Sequence, residues 1–325
     1  MPEWIKGTAI PRGAVVTVGT FDGVHRGHVL VLERTAAAAR DRGLCSVLVT
    51  FDPHPLDVVN PSAAPPLLTL WEEKLEALAL TSVDYVAVVP FTLELAAFTP
   101  EEFVRRVLLD RYAMRELFIG YDHGFGRGRA GDAESLRMIG QRLGFPVEVV
   151  DPVAGSDGSA ISSTAIRRAL AHGDLARALD GLGRRYSFFG TVSSGERRGR
   201  LLGFPTLNIE LASHRKLLPP HGVYAVRAEG TSGLYGGMMN LGPRPTFGDD
   251  RVTLEVHLFE AEGDWYGKPL RVEFVTRLRD TMRFSGPEVL VEQLKRDAEN
   301  ARSALTALGH AANLKGSRAN TSFPS

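Results

Sequence analysis

The stretch GTFDGVHRGH, residues 19–28, decides how the first half of this chain is interpreted. It follows a β-branched apolar run at residues 15–18, which predicts a buried strand, and it precedes a Leu- and Ala-rich run at residues 29–40, which predicts a helix. Glycines in the stretch let the backbone come close to a ligand. A helix start presents free N–H groups and the positive end of the helix dipole, so this junction predicts a phosphate-binding site.

Two histidines in this stretch, His25 and His28, are three residues apart, which places both imidazoles on one side of a helical turn. Beside a polyphosphate, such rings donate hydrogen bonds to oxygens that gain charge during group transfer. The spacing alone is equally typical of an ordinary strand–helix turn with two surface histidines. A zinc site is disfavoured, because no further Cys or His cluster supplies ligands nearby.

Further apolar runs continue the alternation of strand and helix. A helix is predicted to begin at Thr99, with Pro100 at its first position and Glu102 closing a capping box. Because the strands are near-continuous apolar runs separated by helices, we predict an α/β domain with a parallel sheet covered on both faces. The additional strands are predicted at residues 47–51, 85–89, 117–119 and 147–150.

The pattern changes near residue 182, where β-rich runs separated by Gly/Pro loops predict a small barrel or sandwich. A closing helix is predicted over residues 287–308. The remaining segment has small and polar residues without periodicity, which predicts a disordered tail. The β-rich runs lie at residues 186–192, 223–228, 235–241, 253–259 and 270–278, and the predicted domains are residues 1–182 and 183–308, followed by the tail at 309–325.

Composition excludes several classes of protein. The chain has 325 residues, of which 44% are hydrophobic, so disordered and collagen-like classes are excluded. Its 38 basic and 38 acidic residues balance, which gives no broad electrostatic footprint for a nucleic acid or an anionic membrane. A single cysteine, Cys45, excludes internal disulfides. With no leader-like start and no long apolar run, we expect a soluble cytoplasmic protein.

Two more segments of the first half are suited to ligand binding. In ISSTAIR, residues 161–167, Ser and Thr cap a helix start, and Arg167 can neutralise a leaving pyrophosphate; an ordinary capped helix with a surface arginine looks the same. In FDPHP, residues 51–55, the two prolines fix the backbone around His54. A binding role is favoured for Asp52, whereas a rigid structural loop explains His54 equally well.

The second half offers a different set of polar groups. Thr206 and Asn208 alternate along an extended stretch, so their oxygens share a face and are of the kind that Mg²⁺ accepts, although this pair alone does not establish a metal site. Glu255 is placed to act as a general base at a barrel mouth, whereas without context a solvent-facing glutamate is the commoner explanation. The basic loop at residues 190–200 suits phosphates but is also typical of a solvated loop.

These motifs resemble those of one family. Residues 19–28 resemble the HxGH motif of adenylyl- and cytidylyltransferases, in the longer form typical of bacterial bifunctional riboflavin kinase/FAD synthetases. Residues 161–167 resemble its ISSTxIR motif, residues 50–55 its TFDPHP segment, and residues 120–132 its second glycine-rich loop. His123 and Ala165 depart from the Phe and Arg that are frequent in the family. The resemblance implies ATP binding by Gly19, Thr20, Phe21, Asp22, Gly23, His25, His28, Ser162, Ser163, Thr164 and Arg167, and flavin binding by Asp52, His54, Asp122 and Phe125.

Residues 190–209 are similar to the family's riboflavin kinase motif GxVxxGxxxGRxLGFPTxNI, and its later motifs follow in order. The resemblance implies that Thr206 and Asn208 coordinate Mg²⁺ with ATP and that Glu255 activates the 5′-hydroxyl of the ribityl chain. It also implies nucleotide contacts from Gly195, Gly199, Arg200, Gly203, Pro205 and Thr206, and flavin contacts from Asn240, Arg279 and Phe284.

Together the resemblances cover roughly residues 14–305. They imply a Rossmann-like nucleotidyltransferase domain, a six-stranded riboflavin kinase barrel and a C-terminal helix. The implied enzyme phosphorylates riboflavin to FMN and adenylylates FMN to FAD with ATP, as a monomer or weak self-associating protein without nucleic-acid or membrane partners. Two other hypotheses remain: a nucleotidyltransferase with another acceptor fused to an unrelated barrel, and a flavin-binding regulatory protein without turnover.

Overall fold

The computed structural model describes residues 3–5, 12–121, 124, 131–194, 202–231, 233–243 and 252–313, with the backbone alone at 3–5 and 310–313. The chain forms two compact units. The first comprises Met1–Arg167 and Asp180–Gly183, and the second comprises Arg168–Leu179 and Arg184–Ser325.

A six-stranded parallel sheet forms the centre of the first unit, in the order β1-β4-β3-β2-β5-β6. The predicted parallel sheet is confirmed. The edge strand β1 was not predicted, because three residues are too few to show a periodic pattern. The strands are β1 (Glu3–Ile5), β2 (Ala14–Val18), β3 (Cys45–Asp52), β4 (Tyr85–Pro90), β5 (Met114–Gly120) and β6 (Val147–Val150).

Helices cover both faces of this sheet, as predicted. Consecutive residues of β3 point to opposite faces. Val49 shares one hydrophobic cluster with Phe103, whereas Leu48 shares another with Leu32 and Leu78. The helical elements of the first unit are α1 (Arg26–Arg42), α2 (Pro55–Val59), a 3₁₀ turn (Pro61–Ala63), α3 (Trp71–Ala79), α4 (Leu93–Ala96), α5 (Pro100–Phe103), a π-helix (Val104–Leu109), α6 (Asp110–Tyr112) and α7 (Ala133–Leu143). Two further helices, α8 (Ser163–Ala171) and α9 (Leu175–Leu182), have residues in both units.

The strand order places a crevice where residues 19–28 lie. From β2 the chain passes through α1 to β3 on one side, and it later returns to β5 on the other side of β2. Open α/β sheets bind ligands outside the carboxyl ends of the strands at such a switch point. Residues 19–28, called the front loop below, leave the carboxyl end of β2 and lead into α1.

The second unit is a closed antiparallel barrel, so the barrel prediction is confirmed and a sandwich is excluded. Its strands run in the order β10-β11-β8-β7-β12-β9, and β9 pairs with β10 to close the circle. Phe188, Tyr224 and Phe274 are fully buried, and the ring of Phe274 contacts the rings of the other two. The strands are β7 (Ser187–Ser193), β8 (Leu207–Leu211), β9 (Gly222–Gly230), β10 (Gly233–Pro243), β11 (Val252–Leu258) and β12 (Pro269–Arg279).

One long helix, α10 (Pro287–Asn313), follows the barrel strands. Its apolar stripe packs on the outside of the barrel, where Leu294 and Ala301 contact a cluster containing Ala225 and Met238. The helix extends past the predicted end at residue 308. Residues 314–325 of the predicted tail lie outside the described part of the chain.

Candidate active sites

The front loop has an unusual backbone. Phe21 and Val24 have φ angles of 49° and 38°, and Gly23 has a φ of 83°. A Cβ on Gly23 would lie 2.7 Å from Cδ1 of Leu68, so both the backbone conformation and the neighbouring side chain require glycine. Non-glycine residues in this region cost free energy, and they persist only where the surrounding structure holds them in place.

The carboxylate of Asp22 supplies that support. It is 4% exposed, and it accepts hydrogen bonds from the backbone N–H groups of Leu68 and Thr69, both at 3.0 Å. Arg167 donates to it at 2.6 Å. The hydroxyl of Thr69 in turn accepts a bond from the N–H of Gly23 at 3.0 Å. Asp22 was predicted among the nucleotide-binding residues, and its carboxylate is engaged in organising the loop and Arg167.

The two histidines lie on the same side of the first turn of α1, as predicted. Their rings stack with centroids 3.6 Å apart and an interplanar angle of 17°. His25 caps the helix, because its Nδ1 accepts the N–H of His28 at 3.2 Å. The neutral ring of His25 therefore carries its proton on Nε2, where it can donate to a ligand. Gly27 permits this packing, since a Cβ there would lie 3.2 Å from the His25 ring.

Residues at the start of α8 make hydrogen bonds to the front loop. Ser162 Oγ accepts the N–H of Ala165 at 3.2 Å, so the predicted cap is confirmed. Ser163 Oγ donates to the carbonyl oxygen of Asp22 at 2.9 Å. Arg167 also donates through Nε to the carbonyl of Pro66 at 2.9 Å, which fixes its guanidinium beside the loop. Thr164, the remaining predicted residue of this motif, is exposed.

The FDPHP segment lies at the carboxyl end of β3, and a cis peptide bond joins Asp52 to Pro53. His54 caps α2 by accepting the N–H of Leu56 at 3.2 Å. Burial lowers the pKa of His54; the charges of Asp22 and Asp57 oppose this shift, while Arg167 and Lys74 add to it. His54 is thus within electrostatic reach of the front-loop residues. The other predicted flavin residues of this half, Asp122 and Phe125, lie outside the described residues.

In the barrel, predicted residues meet through strand register. Asn208 on β8 pairs with Glu255 on β11, and Glu255 pairs with Asn240 on β10. Directly paired residues share a face of the sheet. Glu255 alternates with the buried residues Leu254 and Val256, so it lies on the face opposite the barrel interior. The row continues around the barrel, and we call it the cross-strand row: Ser193, Asn208, Glu255, Asn240, Val223 and Arg279.

At the end of this row, Arg279 is held by a buried carboxylate. Its guanidinium makes hydrogen bonds of 2.7–3.0 Å to both oxygens of Asp297, which is 1% exposed. Gln293 adds a bond to Asp297 at 2.9 Å. The Arg279 guanidinium also lies 5.7 Å from the ring centroid of Phe284, the other predicted flavin residue. Sequence reasoning missed Asp297, although an acidic residue on the apolar face of α10 was a usable signal.

The segment before β8 is tied to the strand that carries Glu255. His257 Nδ1 lies 2.8 Å from the carbonyl oxygen of Pro205, and its ring is 5.3 Å from that of Phe204. Gly203 adopts a φ of 80° just upstream. These contacts fix the backbone directly before Thr206, which precedes β8. The predicted nucleotide residues Gly195, Gly199 and Arg200 lie outside the described residues.

The described residues contain no group of three or more His, Cys, Asp or Glu side chains arranged to hold a metal ion. The hydroxyl of Thr206 and the amide oxygen of Asn208 are hard donors, and Asn208 pairs in register with Glu255. Such a set suits Mg²⁺ that is also bound by phosphate and water.

Among the described residues, every helix is too short or too polar to span a bilayer.

Comparisons with known proteins agree on both halves. A family model for FAD synthetase matches residues 7–165, and one for riboflavin kinase matches residues 182–305. The bifunctional riboflavin kinase/FMN adenylyltransferase of Escherichia coli K12 is 38% identical over 90% of this chain and 92% of its own length. The protein of the same name from Pseudomonas fluorescens is 38% identical, over 92% of this chain and 95% of its own.

A solved structure is also similar. The crystal structure of a macrolide-efflux protein from Streptococcus pneumoniae matches with a TM-score of 0.82 and 31% identity, over 92% of this chain and 98% of that one. Both family models and the relatives above cover the two units that carry the front loop and the cross-strand row. The chain belongs to the family of bifunctional riboflavin kinase/FMN adenylyltransferases.

Proposed function

We propose that the front-loop site transfers AMP from ATP to FMN and that the cross-strand row phosphorylates riboflavin. The observation that carries this proposal is the presence of two polar constellations among the described residues. One has the stacked pair His25 and His28 at the start of α1, and the other has Asn208, Glu255 and Asn240 in one register.

In the adenylyl transfer, an oxygen of the FMN phosphate attacks the α-phosphorus of ATP, the bond from that phosphorus to the bridging oxygen breaks, and pyrophosphate leaves. The attacking phosphate is already an anion, so positioning and charge stabilisation provide most of the acceleration. His25 and His28 donate hydrogen bonds to phosphate oxygens at the N-terminus of α1. Arg167, which Asp22 and Pro66 hold beside the loop, neutralises charge on the leaving pyrophosphate.

In the phosphorylation, Glu255 accepts the proton of the riboflavin 5′-hydroxyl as its oxygen attacks the γ-phosphorus of a second ATP, and ADP leaves. Thr206 and Asn208 would hold Mg²⁺, which when bound neutralises charge on the phosphates. Asn240 lies beside Glu255 in the register and orients the flavin side of the substrate. Arg279 and Phe284 border the flavin ring, and Asp297 keeps Arg279 in place.

The proposal assigns adenylyl transfer to residues 1–182 and phosphorylation to residues 183–308. It places the protein in the cytoplasm as a monomer or weak self-associating protein, with riboflavin, FMN and ATP as its small-molecule partners. The balance of 38 basic and 38 acidic residues supports the absence of a nucleic-acid or membrane partner.

The test is a crossed pair of variants. Wild-type protein is incubated with riboflavin, ATP and Mg²⁺, and riboflavin, FMN and FAD are separated by chromatography. His28→Ala should abolish FAD formation while FMN accumulates, and Glu255→Ala should abolish FMN formation but still convert added FMN to FAD. Loss of both products in either folded variant would overturn the assignment of sites, and a wild type that never adenylylates FMN would favour another acceptor.

A further inference from the structure

Lys74 is a buried cation that no motif or resemblance assigned. It lies in α3, within the sequence Trp71-Glu72-Glu73-Lys74, and such a run of charged residues is typical of a solvent-exposed helix start. In the structure Lys74 is only 8% exposed, whereas Glu72 is exposed. A lysine this deeply buried is uncommon, because its charge must leave water.

The ammonium of Lys74 lies between β3 and the front loop. Its Nζ donates to Thr50 Oγ1 at 2.8 Å, and that hydroxyl donates to the carbonyl oxygen of Thr20 at 3.3 Å. The ring of Trp71 is 5.7 Å from Nζ on the other side. Lys74 is therefore held near the carboxyl end of β3, one hydrogen-bonded hydroxyl away from the backbone of the front loop.

The charged groups around Lys74 leave it without an ion pair among the described residues. Asp22 and Asp52 act on it electrostatically, and it in turn acts on His54. The carboxylate of Asp22 is already bound by Arg167 and Thr69. Burial lowers the pKa of Lys74 to about 8, so the amine is still largely protonated at neutral pH. A buried ammonium with one neutral hydrogen-bond partner is stabilised by an anion from outside the protein.

We propose that Lys74 binds the phosphate group of FMN and holds it at the carboxyl end of β3 for attack on ATP. The inference rests on the proposed adenylyl transfer and adds a residue to it. The proposed function assigns the ATP phosphates to the start of α1 and to Arg167, whereas Lys74 is anchored to β3 and interacts electrostatically with Asp52 and His54 at the end of that strand. A phosphate monoester bound to Lys74 would be held at the end of β3, next to the front loop that is proposed to bind ATP.

The experiment uses the full chain with three variants: Lys74→Met, which keeps side-chain length without charge, Lys74→Arg, and the control Glu72→Gln on the exposed side of the same helix. FAD formation is measured with FMN varied at saturating ATP, and with ATP varied at saturating FMN. KM for ATP in FAD formation reports whether the first unit is folded, and riboflavin phosphorylation in each sample checks the second unit.

We expect Lys74→Met to raise KM for FMN at least tenfold, with KM for ATP within twofold of wild type and riboflavin phosphorylation unchanged. Lys74→Arg should recover part of the loss, and Glu72→Gln should behave as wild type. In wild type, KM for FMN should rise as the pH passes about 8, and this rise should vanish in Lys74→Met.

A rise in KM for ATP alone would overturn the inference by assigning Lys74 to the nucleotide. An unchanged KM for FMN with an unchanged pH profile would show that the lysine is purely structural. If wild type forms no FAD from FMN, the proposed adenylyl transfer fails instead, so the two failures are distinguishable.

Discussion

The front loop and the cross-strand row place their polar groups by different physical means. In the front loop, a buried carboxylate, Asp22, holds a backbone in which Phe21, Gly23 and Val24 all have positive φ angles. In the barrel, Asn208, Glu255 and Asn240 are aligned by the hydrogen-bond register of ordinary antiparallel strands. The first arrangement depends on one organising group, and the second depends on many backbone pairs.

This difference has a consequence for mutational sensitivity. When a residue that organises a strained backbone is replaced, every group that it holds is disturbed, because neighbouring contacts are strongly coupled. A residue positioned by strand register can be replaced without moving its neighbours, because the ladder bonds do not involve side chains. Substitutions in the front loop should therefore have wider effects than comparable substitutions in the barrel row.

The largest effect is expected for Asp22→Ala. It removes the acceptor for two backbone N–H groups and leaves Arg167 as an unpaired cation, which typically costs about 3–5 kcal/mol for a buried pair. FAD formation should fall by about two orders of magnitude because the loop and Arg167 both lose their positions. Riboflavin phosphorylation should stay within twofold. Glu101→Ala, which breaks the more exposed pairs with Arg105 and Arg142 elsewhere in the first unit, is the control, and an equal loss there would refute the special role of Asp22.

A smaller effect is expected for Asp297→Asn in the second unit. The change weakens the bonds that hold Arg279 at the edge of the predicted flavin pocket, while the strand register stays intact. KM for riboflavin should rise about tenfold, which corresponds to about 1.4 kcal/mol, and conversion of added FMN to FAD should not change. Steady-state kinetics of both reactions checks this. Glu292→Gln, which removes an exposed ion pair on the same helix, should leave both reactions as in wild type.

The pH dependence of stability should report on His54 in the first unit. Burial lowers the pKa of His54 from its ordinary value of 6.5, so the unfolded chain binds more protons than the folded one near that pH. The free energy of unfolding should therefore fall as pH drops below about 6.5, by at most about 1.4 kcal/mol per pH unit for one proton. Urea unfolding of wild type and His54→Asn from pH 7.5 to 5.5 measures this contribution. An equally steep fall in His54→Asn would rule out His54 as its source.

Much of this architecture was predictable from sequence because local signals and tertiary structure agree. Strands β2–β6 coincide with apolar runs, and the ISSTAIR segment caps α8 as its residues indicate. The barrel strand β8 was predicted only as an extended stretch, since LNIEL is short and follows a Gly/Pro segment. Its alignment with Glu255 depends on pairing with a strand more than forty residues away, which no local pattern encodes.

The organising contacts of the sites were the least predictable. Asp22 finds its partners at Leu68, Thr69 and Arg167, all distant in sequence, so its role became visible only with the fold. Lys74 follows two glutamates and looks solvated, yet the packing of α3 against the sheet buries it.

The smallest effect is expected far from both sites, at the capping box of α5. Thr99 Oγ1 accepts the N–H of Glu102 at 3.2 Å, and Glu102 accepts the N–H of Thr99 at 2.9 Å, as the sequence predicted. Thr99→Ala should lower the free energy of unfolding by about 1 kcal/mol and leave both reactions unchanged, because the lost bonds satisfy only a helix end. Thr99→Ser retains the acceptor and should restore most of the stability in urea unfolding. A loss of FAD formation in Thr99→Ala would show that strain spreads through the whole first unit rather than through the contacts of Asp22.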